Sequence, residues 1–396
     1  METEIYTIKG FKASAVAAGL KKDNALDIAL ICSETEAAAA AVFTTNKVKA
    51  APVLLSMENI RDHKIKAVIA NAGNANACTG REGMENARLT AQLAAQELGI
   101  GEEEIIVAST GVIGAQLDME LFKNSTPDLI KRLSAQGIPA AAKAIMTTDS
   151  FPKISRFYGE AGGKPYEIIG IAKGAGMIMP DMATMLCFIM TDLWVEAKDL
   201  QKALSYSVEK SFNRITVDGD TSTNDMVLVM ANGMAGNTSL SDTGYGNFVD
   251  GLKAVMTELA TMIVKDGEGA TKVVKVKIKG AASKDDALLA ARTIANSSLV
   301  KTTFYGQDPN WGRVMAALGR SGVLMKEEDV AIFVDDIKIV ENGLGLGTDH
   351  EKKAAEKMLN KEFSLIIDLM QGDNEDQITT CDLTHEYVSI NANYRT

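Results

Sequence analysis

Short β-like apolar runs alternate with helical patterns along the whole chain, and this mixture restricts the fold more than any other feature. Residues 64–71 form an apolar run typical of a buried strand, whereas 82–98 repeats apolar residues at helical spacing. Ser283 predicts the N-cap of a helix that runs to Ala295. Further strands are predicted at 184–190 and 387–390. The pattern predicts an α+β or α/β protein, and periodicity alone does not order its strands.

Composition places the chain among ordinary globular proteins of two or three domains. It has 396 residues, of which 46% are hydrophobic and 23% charged. The net charge of −11 and the absence of a basic block disfavour a nucleic-acid partner. The longest apolar stretch, 177–190, contains Pro180 and Asp181 and is too short to span a bilayer. With no secretory signal at the N-terminus and four scattered cysteines, we expect a cytoplasmic protein without membrane contact.

The three histidines offer little for catalysis or metal binding. His63 and His350 lie among charged residues, which is typical of a solvated surface. His385 follows Cys381 at a ligand-like spacing, but no second Cys/His pair accompanies it, so we expect no zinc site. No phosphate-binding P-loop motif occurs. If the protein is a hydrolase or transferase, its base is therefore not expected to be histidine.

A glycine-rich segment that ends at a threonine is the strongest candidate for chemistry. Lys173-Gly174-Ala175-Gly176 places one positive charge beside a backbone that a ligand can approach closely. Ala183 then precedes Thr184, which opens an apolar run. Taken alone, Thr184 is most simply a strand residue and Lys173 a solvated loop lysine. The alternative is that the Thr184 hydroxyl attacks the Ala183 carbonyl, and that cleavage frees an α-amine able to act as base.

An ordered set of motifs along essentially the whole chain resembles the ornithine acetyltransferase (glutamate N-acetyltransferase) family. Beyond the glycine-rich segment, these motifs are Gly10–Ala13 with Gly19–Lys21, Val42–Asn46, Asn71–Gly80, Ser109–Gly114, Met146–Asp149, Thr216–Asp225, Gly267–Lys272, Gly306–Arg313 and Asn391–Thr396. Any one of them arises easily by chance, whereas their order and number are highly specific.

The resemblance implies a role for particular residues of this chain. Thr184 matches the family's nucleophile, Ala183–Thr184 its self-cleaved bond, and Thr110 with Gly111 the pair that stabilises the oxyanion. The implied substrate contacts are Thr147, Lys173, Thr184, Glu268, Asn391 and Thr396. The choice between Thr147 and Thr148 stays open. Ordinary alternatives also stand, because Ser109-Thr110-Gly111 is a common strand ending, Glu268 a typical turn acid, and chain ends usually fray.

Fold and assembly follow from the same resemblance. It implies a four-layer αββα sandwich, as in self-processing aminopeptidases, over residues 1–280, with a smaller C-terminal α/β domain over 281–396. Cleavage would yield an alpha chain, 1–183, and a beta chain, 184–396. We expect these chains to stay associated and to form a heterotetramer of two alpha and two beta chains.

The implied reaction is a double displacement in arginine biosynthesis. N-acetylornithine acetylates Thr184 and releases ornithine, and glutamate then accepts the acetyl group to give N-acetylglutamate. No metal or organic cofactor is expected, although acetyl-CoA serves as a co-substrate of bifunctional members. The alternative is a self-processing amidase or aminopeptidase in which water replaces glutamate. A non-catalytic protein on the same scaffold is a third alternative, but it would be expected to lack Ala183 or Thr184.

Overall fold

A computed structural model describes residues 5–179 and 185–393, which divide into two compact units. The first unit comprises the chain up to Asn213 together with Asp220–Ile263. The second comprises Arg214–Gly219 and the described residues from Val264 onward. The predicted domain boundary at 280/281 differs from this division, because the strand Val273–Ala281 pairs within the sheet of the second unit.

The first unit is built from eight strands and six helices in the described part of the chain. In order they are β1 (Phe11–Val16), β2 (Ile28–Phe43), α1 (Ala51–Asn59), β3 (Lys64–Asn74), α2 (Gly80–Leu98), β4 (Ile105–Val112), α3 (Met119–Lys131), α4 (Ile138–Ala144), β5 (Lys153–Ala161), β6 (Lys164–Lys173), β7 (Leu186–Thr191), α5 (Ala197–Lys210), β8 (Met226–Ala231) and α6 (Asp242–Lys265). The helix predicted over 82–98 is confirmed as α2.

These strands form one hydrogen-bonded sheet that is bent at its longest strand. The order is β4-β3-β2-β8-β7-β6-β5, with β1 paired to β2. The first half of β2 pairs with β1 and β3, whereas its second half, Ala38–Phe43, pairs with β8. The register with β3 shifts between Cys32 and Ala37, which separates the two halves. A single strand thus supplies two layers of the structure.

Alternating side chains show how the layers stack. On β3, Val68 and Ala70 share a buried cluster with Phe188 and Met190 of β7. The opposite face of β3, with Ile69, packs in a second cluster that takes in the helices α1, α2 and α3. On the far side, β6 contacts α6 so closely that a Cβ on Gly170 would lie 2.8 Å from side-chain atoms of Val255 and Leu259. The order helix, strand, strand, helix confirms the predicted αββα sandwich.

The second unit has its own mixed sheet and core. Its elements are β9 (Val273–Ala281), α7 (Lys284–Ala295), α8 (Ser298–Gly306), α9 (Trp311–Gly319), β10 (Ala331–Val334), β11 (Ile337–Glu341), β12 (Leu344–Gly345), α10 (Thr348–Met358), β13 (Glu362–Asp368), β14 (Asn374–Cys381) and α11 (His385–Asn393). The strand order is β12-β11-β10-β13-β9-β14, in which β9 and β13 run parallel. Helices α7 to α10 contribute side chains to the apolar cluster of this sheet.

Two predictions in this unit have opposite outcomes. Ser283 caps α7 as predicted, since its hydroxyl accepts a hydrogen bond from the backbone N–H of Asp286 at 3.0 Å. The predicted strand 387–390 is wrong, because these residues belong to α11. The Thr384 hydroxyl accepts from the Tyr387 N–H at 3.3 Å and satisfies a free donor of the first turn. A four-residue apolar alternation does not distinguish a strand from a short capped helix.

Candidate active site

The residues that define the predicted cleavage fall outside the described ranges. Ala183 and Thr184 belong to the gap between Met179 and Met185, and Thr396 lies beyond Asn393. The site is therefore built from the elements on either side of the gap. Strand β6 leads toward it and ends at Lys173, and β7 begins after it at Leu186.

Lys173 brings together two of the other predicted site residues. Its Nζ donates a hydrogen bond to Oγ1 of Thr147 at 2.7 Å and to Oγ1 of Thr110 at 3.4 Å. The lysine is only 7% exposed, so the solvated loop lysine considered from the sequence is not what the structure contains. Residues that are 63 and 26 positions away in the chain thus meet at one ammonium group.

A buried carboxylate fixes this arrangement. Asp149 accepts hydrogen bonds from the backbone N–H of Thr147 at 2.9 Å, from that of Gly174 at 2.6 Å and from Lys153 Nζ at 2.7 Å. Burial alone would raise the pKa of Asp149, but the charges of Lys173 and Lys153 and these hydrogen bonds lower it to about 2. One ionised side chain therefore holds the loop that carries Thr147 and the end of the strand that carries Lys173.

Lys21 is a second, partly buried lysine near this cluster. Its Nζ donates to the carbonyl oxygens of Leu26 and Ala144, both at 2.8 Å. Burial lowers the pKa of Lys21 to about 8; Asp27 and Asp149 oppose this shift, and Lys173 adds to it. The sequence analysis noted Lys21 only as part of a motif. Nothing in a linear pattern indicates that its amine is desolvated.

Thr110 and Gly111 lie at the end of β4, where the backbone conformation at position 111 requires glycine. Gly111 has φ +129°, and a Cβ there would clash with Gly73 and lie 2.6 Å from the backbone nitrogen of Asn74. The preceding residue, Ser109, is held by two asparagines: its hydroxyl donates to Asn71 Oδ1 at 2.6 Å, and its carbonyl oxygen accepts from Asn224 Nδ2 at 2.8 Å. The predicted oxyanion pair thus lies on a rigid strand end.

Asp225 was not singled out from the sequence, although it ends one of the quoted motifs. It is 2% exposed, and burial raises its pKa well above the usual range. The Ser222 and Thr44 hydroxyls, the charge of Lys173 and the backbone N–H of Met185 all lower the pKa, but burial prevails. The buried Asp225 carboxyl therefore binds Met185, which is the first described residue after the predicted cleavage position.

The two remaining predicted residues meet in the second unit. Asn391 on α11 donates from Nδ2 to Glu268 Oε2 at 2.7 Å and to the Tyr387 carbonyl oxygen at 3.0 Å. Glu268 is 9% exposed, so it is not the solvated turn acid considered from the sequence. The structure thus brings Thr110, Thr147 and Lys173 together in one unit, and Glu268 and Asn391 together in the other.

Neither a metal-binding cluster nor a membrane-spanning helix occurs among the described residues. No three or more His, Cys, Asp or Glu side chains among them are arranged to hold a metal ion. None of the helices in these ranges is both long enough and apolar enough to cross a membrane.

Comparison with known proteins decides the family. The model of the ArgJ family matches residues 12–396. The chain belongs to the ArgJ family. It is 51% identical to the arginine biosynthesis bifunctional protein ArgJ of Geobacter sulfurreducens over 98% of this chain and 100% of the relative. It is 47% identical to the glutamate N-acetyltransferase of Methanocaldococcus jannaschii, with 98% and 97% covered.

Among solved structures, this chain is similar to the arginine biosynthesis bifunctional protein ArgJ of Bacillus halodurans. The identity is 38%, the TM-score is 0.44, and the match covers 46% of this chain and 96% of that one. Membership of the ArgJ family, shown by the full-length relatives, confirms the resemblance predicted from the sequence motifs.

Proposed function

We propose that this protein transfers an acetyl group from N-acetylornithine to glutamate through an acetyl ester on Thr184. The observation that carries the proposal is the buried contact of Lys173 with Thr110 and Thr147, at the end of the strand that leads toward Ala183–Thr184. The proposal is supported by the names of the full-length relatives, an arginine biosynthesis bifunctional protein and a glutamate N-acetyltransferase.

Maturation comes first. The Thr184 hydroxyl oxygen attacks the Ala183 carbonyl carbon, the hydroxyl proton passes to the Thr184 nitrogen, and the peptide C–N bond breaks to leave an ester and a free amine. Water then hydrolyses the resulting ester, which gives a carboxylate on Ala183 and restores the hydroxyl. The new α-amine of Thr184 has a reference pKa near 8, close to the pH at which a base is most useful.

Acetyl transfer uses the same hydroxyl a second time. The α-amine takes the hydroxyl proton while the oxygen attacks the acetyl carbonyl of N-acetylornithine. Thr110 and Gly111 are proposed to stabilise the oxyanion, which suits a strand end that is held rigidly by Asn71 and Asn224. Ornithine leaves with the proton on its nitrogen. The amine of glutamate then attacks the ester and regenerates Thr184.

Lys173 is proposed to bind the α-carboxylate that both substrates carry. Its Nζ also binds the Thr147 hydroxyl, which favours Thr147 over Thr148 as the substrate contact. Because Asp149 fixes both residues, the binding group would be preorganised before substrate enters. Glu268, Asn391 and Thr396 stay predicted substrate contacts.

The proposal also covers the assembly of the enzyme and the compartment in which it acts. The alpha and beta chains are proposed to stay associated as a heterotetramer with no cofactor. A cytoplasmic location is proposed because Cys32, Cys78, Cys187 and Cys381 are free thiols, as expected in a reducing compartment.

The test is an assay of the purified full-length protein with N-acetylornithine plus glutamate, each substrate alone, and acetyl-CoA plus glutamate. Products are measured by liquid chromatography and mass spectrometry, with the intact mass of the same sample. We expect N-acetylglutamate from the first mixture and chains of residues 1–183 and 184–396. Release of ornithine and acetate without transfer would instead identify an amidase. The acetyl-CoA mixture shows whether the enzyme is bifunctional.

A further inference from the structure

The loop that joins β1 to β2 is folded around one buried carboxyl group. Asp27, which directly precedes β2, is fully buried. Its two carboxyl oxygens accept hydrogen bonds from the backbone N–H groups of Ala18 at 2.7 Å, Gly19 at 2.9 Å, Leu20 at 2.7 Å and Lys21 at 3.1 Å. Because four consecutive backbone groups converge on one side chain, the path of this loop is fixed.

The fixed loop directs the side chain of Lys21 to the end of helix α4. Its Nζ donates to the carbonyl oxygen of Ala144, the last residue of that helix, at 2.8 Å. A second bond of 2.8 Å, to the carbonyl oxygen of Leu26, ties the same amine to its own loop. The last carbonyls of a helix lack partners within it, so Lys21 caps α4 and joins it to the loop.

The end of α4 leads directly into the predicted substrate contacts. Only three residues take the chain from Ala144 to Thr147, whose N–H donates to Asp149 at 2.9 Å and whose Oγ1 accepts from Lys173 Nζ at 2.7 Å. Three residues span at most about 10 Å even when fully extended. A displacement of the Ala144 carbonyl is therefore transmitted to the Thr147 hydroxyl.

The same loop packs against the strand that carries the predicted oxyanion pair. A Cβ on Gly73 of β3 would lie 2.7 Å from the carbonyl oxygen of Leu20, so the loop lies directly on this glycine. Gly73 is in turn the register partner of Gly111 on β4. The loop thus supports both parts of the site, one through Lys21 and the other through Leu20.

We propose that Lys21 is a positioning residue that holds the end of α4 so that the Thr147 hydroxyl stays on Lys173. The inference rests on the proposed function, because Thr147 and Lys173 are substrate contacts only under that proposal. It also gives a reason for keeping this lysine out of water. Burial lowers the pKa of Lys21 to about 8, and its bonds to two carbonyl oxygens offset part of the cost of burying its charge.

The test compares Lys21→Met with a matched control, Lys272→Met. Methionine keeps much of the stem and removes the donors. Lys272 is matched because it also donates to carbonyl oxygens at the end of a helix, α10, but in the second unit. For both variants and the wild type, KM and kcat are measured for N-acetylornithine and glutamate. Amide hydrogen exchange of peptides that cover residues 143–150 is followed by mass spectrometry.

We expect Lys21→Met to raise KM for both substrates by roughly tenfold with kcat nearly unchanged, because ground state and transition state lose the same contact. The Thr147 amide should exchange roughly tenfold faster. The control should match the wild type in both readouts. A folded Lys21→Met protein in which KM and Thr147 exchange are those of the wild type would overturn the proposal.

A double-mutant cycle tests whether Lys21 acts through Thr147. Thr147→Val removes the hydroxyl and keeps the shape of the side chain. If Lys21 serves only to place that hydroxyl, adding Lys21→Met to Thr147→Val should change KM by less than about twofold. A further tenfold rise in the double variant would contradict the proposal, because Lys21 would then act independently of Thr147.

Hydrogen exchange separates this inference from the proposed function, since it needs no substrate. Faster exchange at Thr147 in a protein that fails to transfer acetyl groups would support the placement by Lys21 and reject the acetyl-transfer proposal alone. If Lys21→Met does not fold, Lys21→Gln replaces it, because its shorter side chain keeps an NH2 donor. The glutamine variant should show the same changes at a smaller size, and wild-type exchange at Thr147 would again overturn the proposal.

Discussion

Two buried lysines, Lys173 in the first unit and Lys272 in the second, bind very different partners. Lys272 donates to three backbone carbonyl oxygens at the end of α10, those of Met358 and Leu359 at 2.9 Å and that of Asn360 at 3.0 Å. Lys173 instead donates to the side-chain hydroxyls of two threonines. Carbonyls at the end of a helix lack partners within the helix, and such a lysine supplies one, whereas hydroxyls can turn toward a ligand. The comparison separates a lysine that holds the fold from one that is placed for binding.

The largest expected effect belongs to Thr184→Ala. Because the substitution removes the attacking oxygen, we expect self-cleavage and acetyl transfer to be abolished together, with an unchanged melting temperature. Intact-mass spectrometry and the transfer assay measure the two activities. Thr184→Ser keeps a hydroxyl and should retain some cleavage. Acetyl transfer by the alanine variant would show that another residue carries the chemistry.

Gly111→Ala tests whether the strand end serves the reaction or only the fold. A methyl group there meets the backbone of Gly73 and Asn74 and should displace the oxyanion pair. We expect a loss of roughly a hundred- to a thousandfold in kcat. The matched control is Gly280→Ala in the second unit, where φ is +63° and a Cβ would lie 2.7 Å from the Met370 nitrogen.

Both glycine variants should melt at lower temperature, but only Gly111→Ala should lose activity per folded molecule, as measured after correction by circular dichroism. Equal loss of activity in the two variants would mean that backbone strain anywhere in the chain is enough to impair turnover.

Exchange of each buried lysine for methionine sharpens the comparison directly. Lys173→Met keeps much of the stem but deletes the charge that is proposed to bind carboxylate. A charge-assisted hydrogen bond contributes about 1.5–3 kcal/mol, so kcat/KM should fall by roughly ten- to two-hundredfold while self-cleavage survives much better. Lys272→Met should instead lower the melting temperature and leave kcat/KM of the folded fraction near normal. The opposite pattern would reverse the two assignments.

Asp149→Asn tests the buried carboxylate that pairs with Lys153, and the cost of the substitution in stability should be present at neutral pH and should disappear in acid. The folded pKa of Asp149, about 2, lies below its ordinary 3.8. Its stabilising contribution is therefore complete above about pH 4 and is lost as the pH falls toward 2. Urea unfolding at several pH values should show a steeper loss of stability for the wild type than for the variant in this range. Asp128→Asn, which removes an exposed partner of Arg132, is the control and should follow the wild type.

The sequence alone predicted more about the site than about its surroundings. The motif resemblance picked out Lys173, Thr110 and Thr147, which the structure places in contact. It did not identify Lys21 or Asp225, although both end quoted motifs. Their importance depends on desolvation, and burial by distant strands is not visible in a local pattern.

Fold prediction shows the same limit. The helix that begins after Ser283 was predicted from a local hydrogen bond, and the structure contains it. The sandwich came from the resemblance, since periodicity did not order the strands or reveal that β2 bends to supply two layers. Residues 387–390 were predicted as a strand because four alternating residues fit both conformations, and the Thr384 cap decides for helix.

The most direct test of the central claim is to trap the acyl-enzyme. The mature protein is incubated with N-acetylornithine alone, quenched in acid, and its two chains are weighed by intact mass and then fragmented. The account predicts one acetyl group on the chain that begins at residue 184, carried by Thr184 and removed when glutamate is added before the quench. Acetyl transfer to glutamate with no acetylated chain at any time point would contradict it, because the group would then pass directly between substrates bound together.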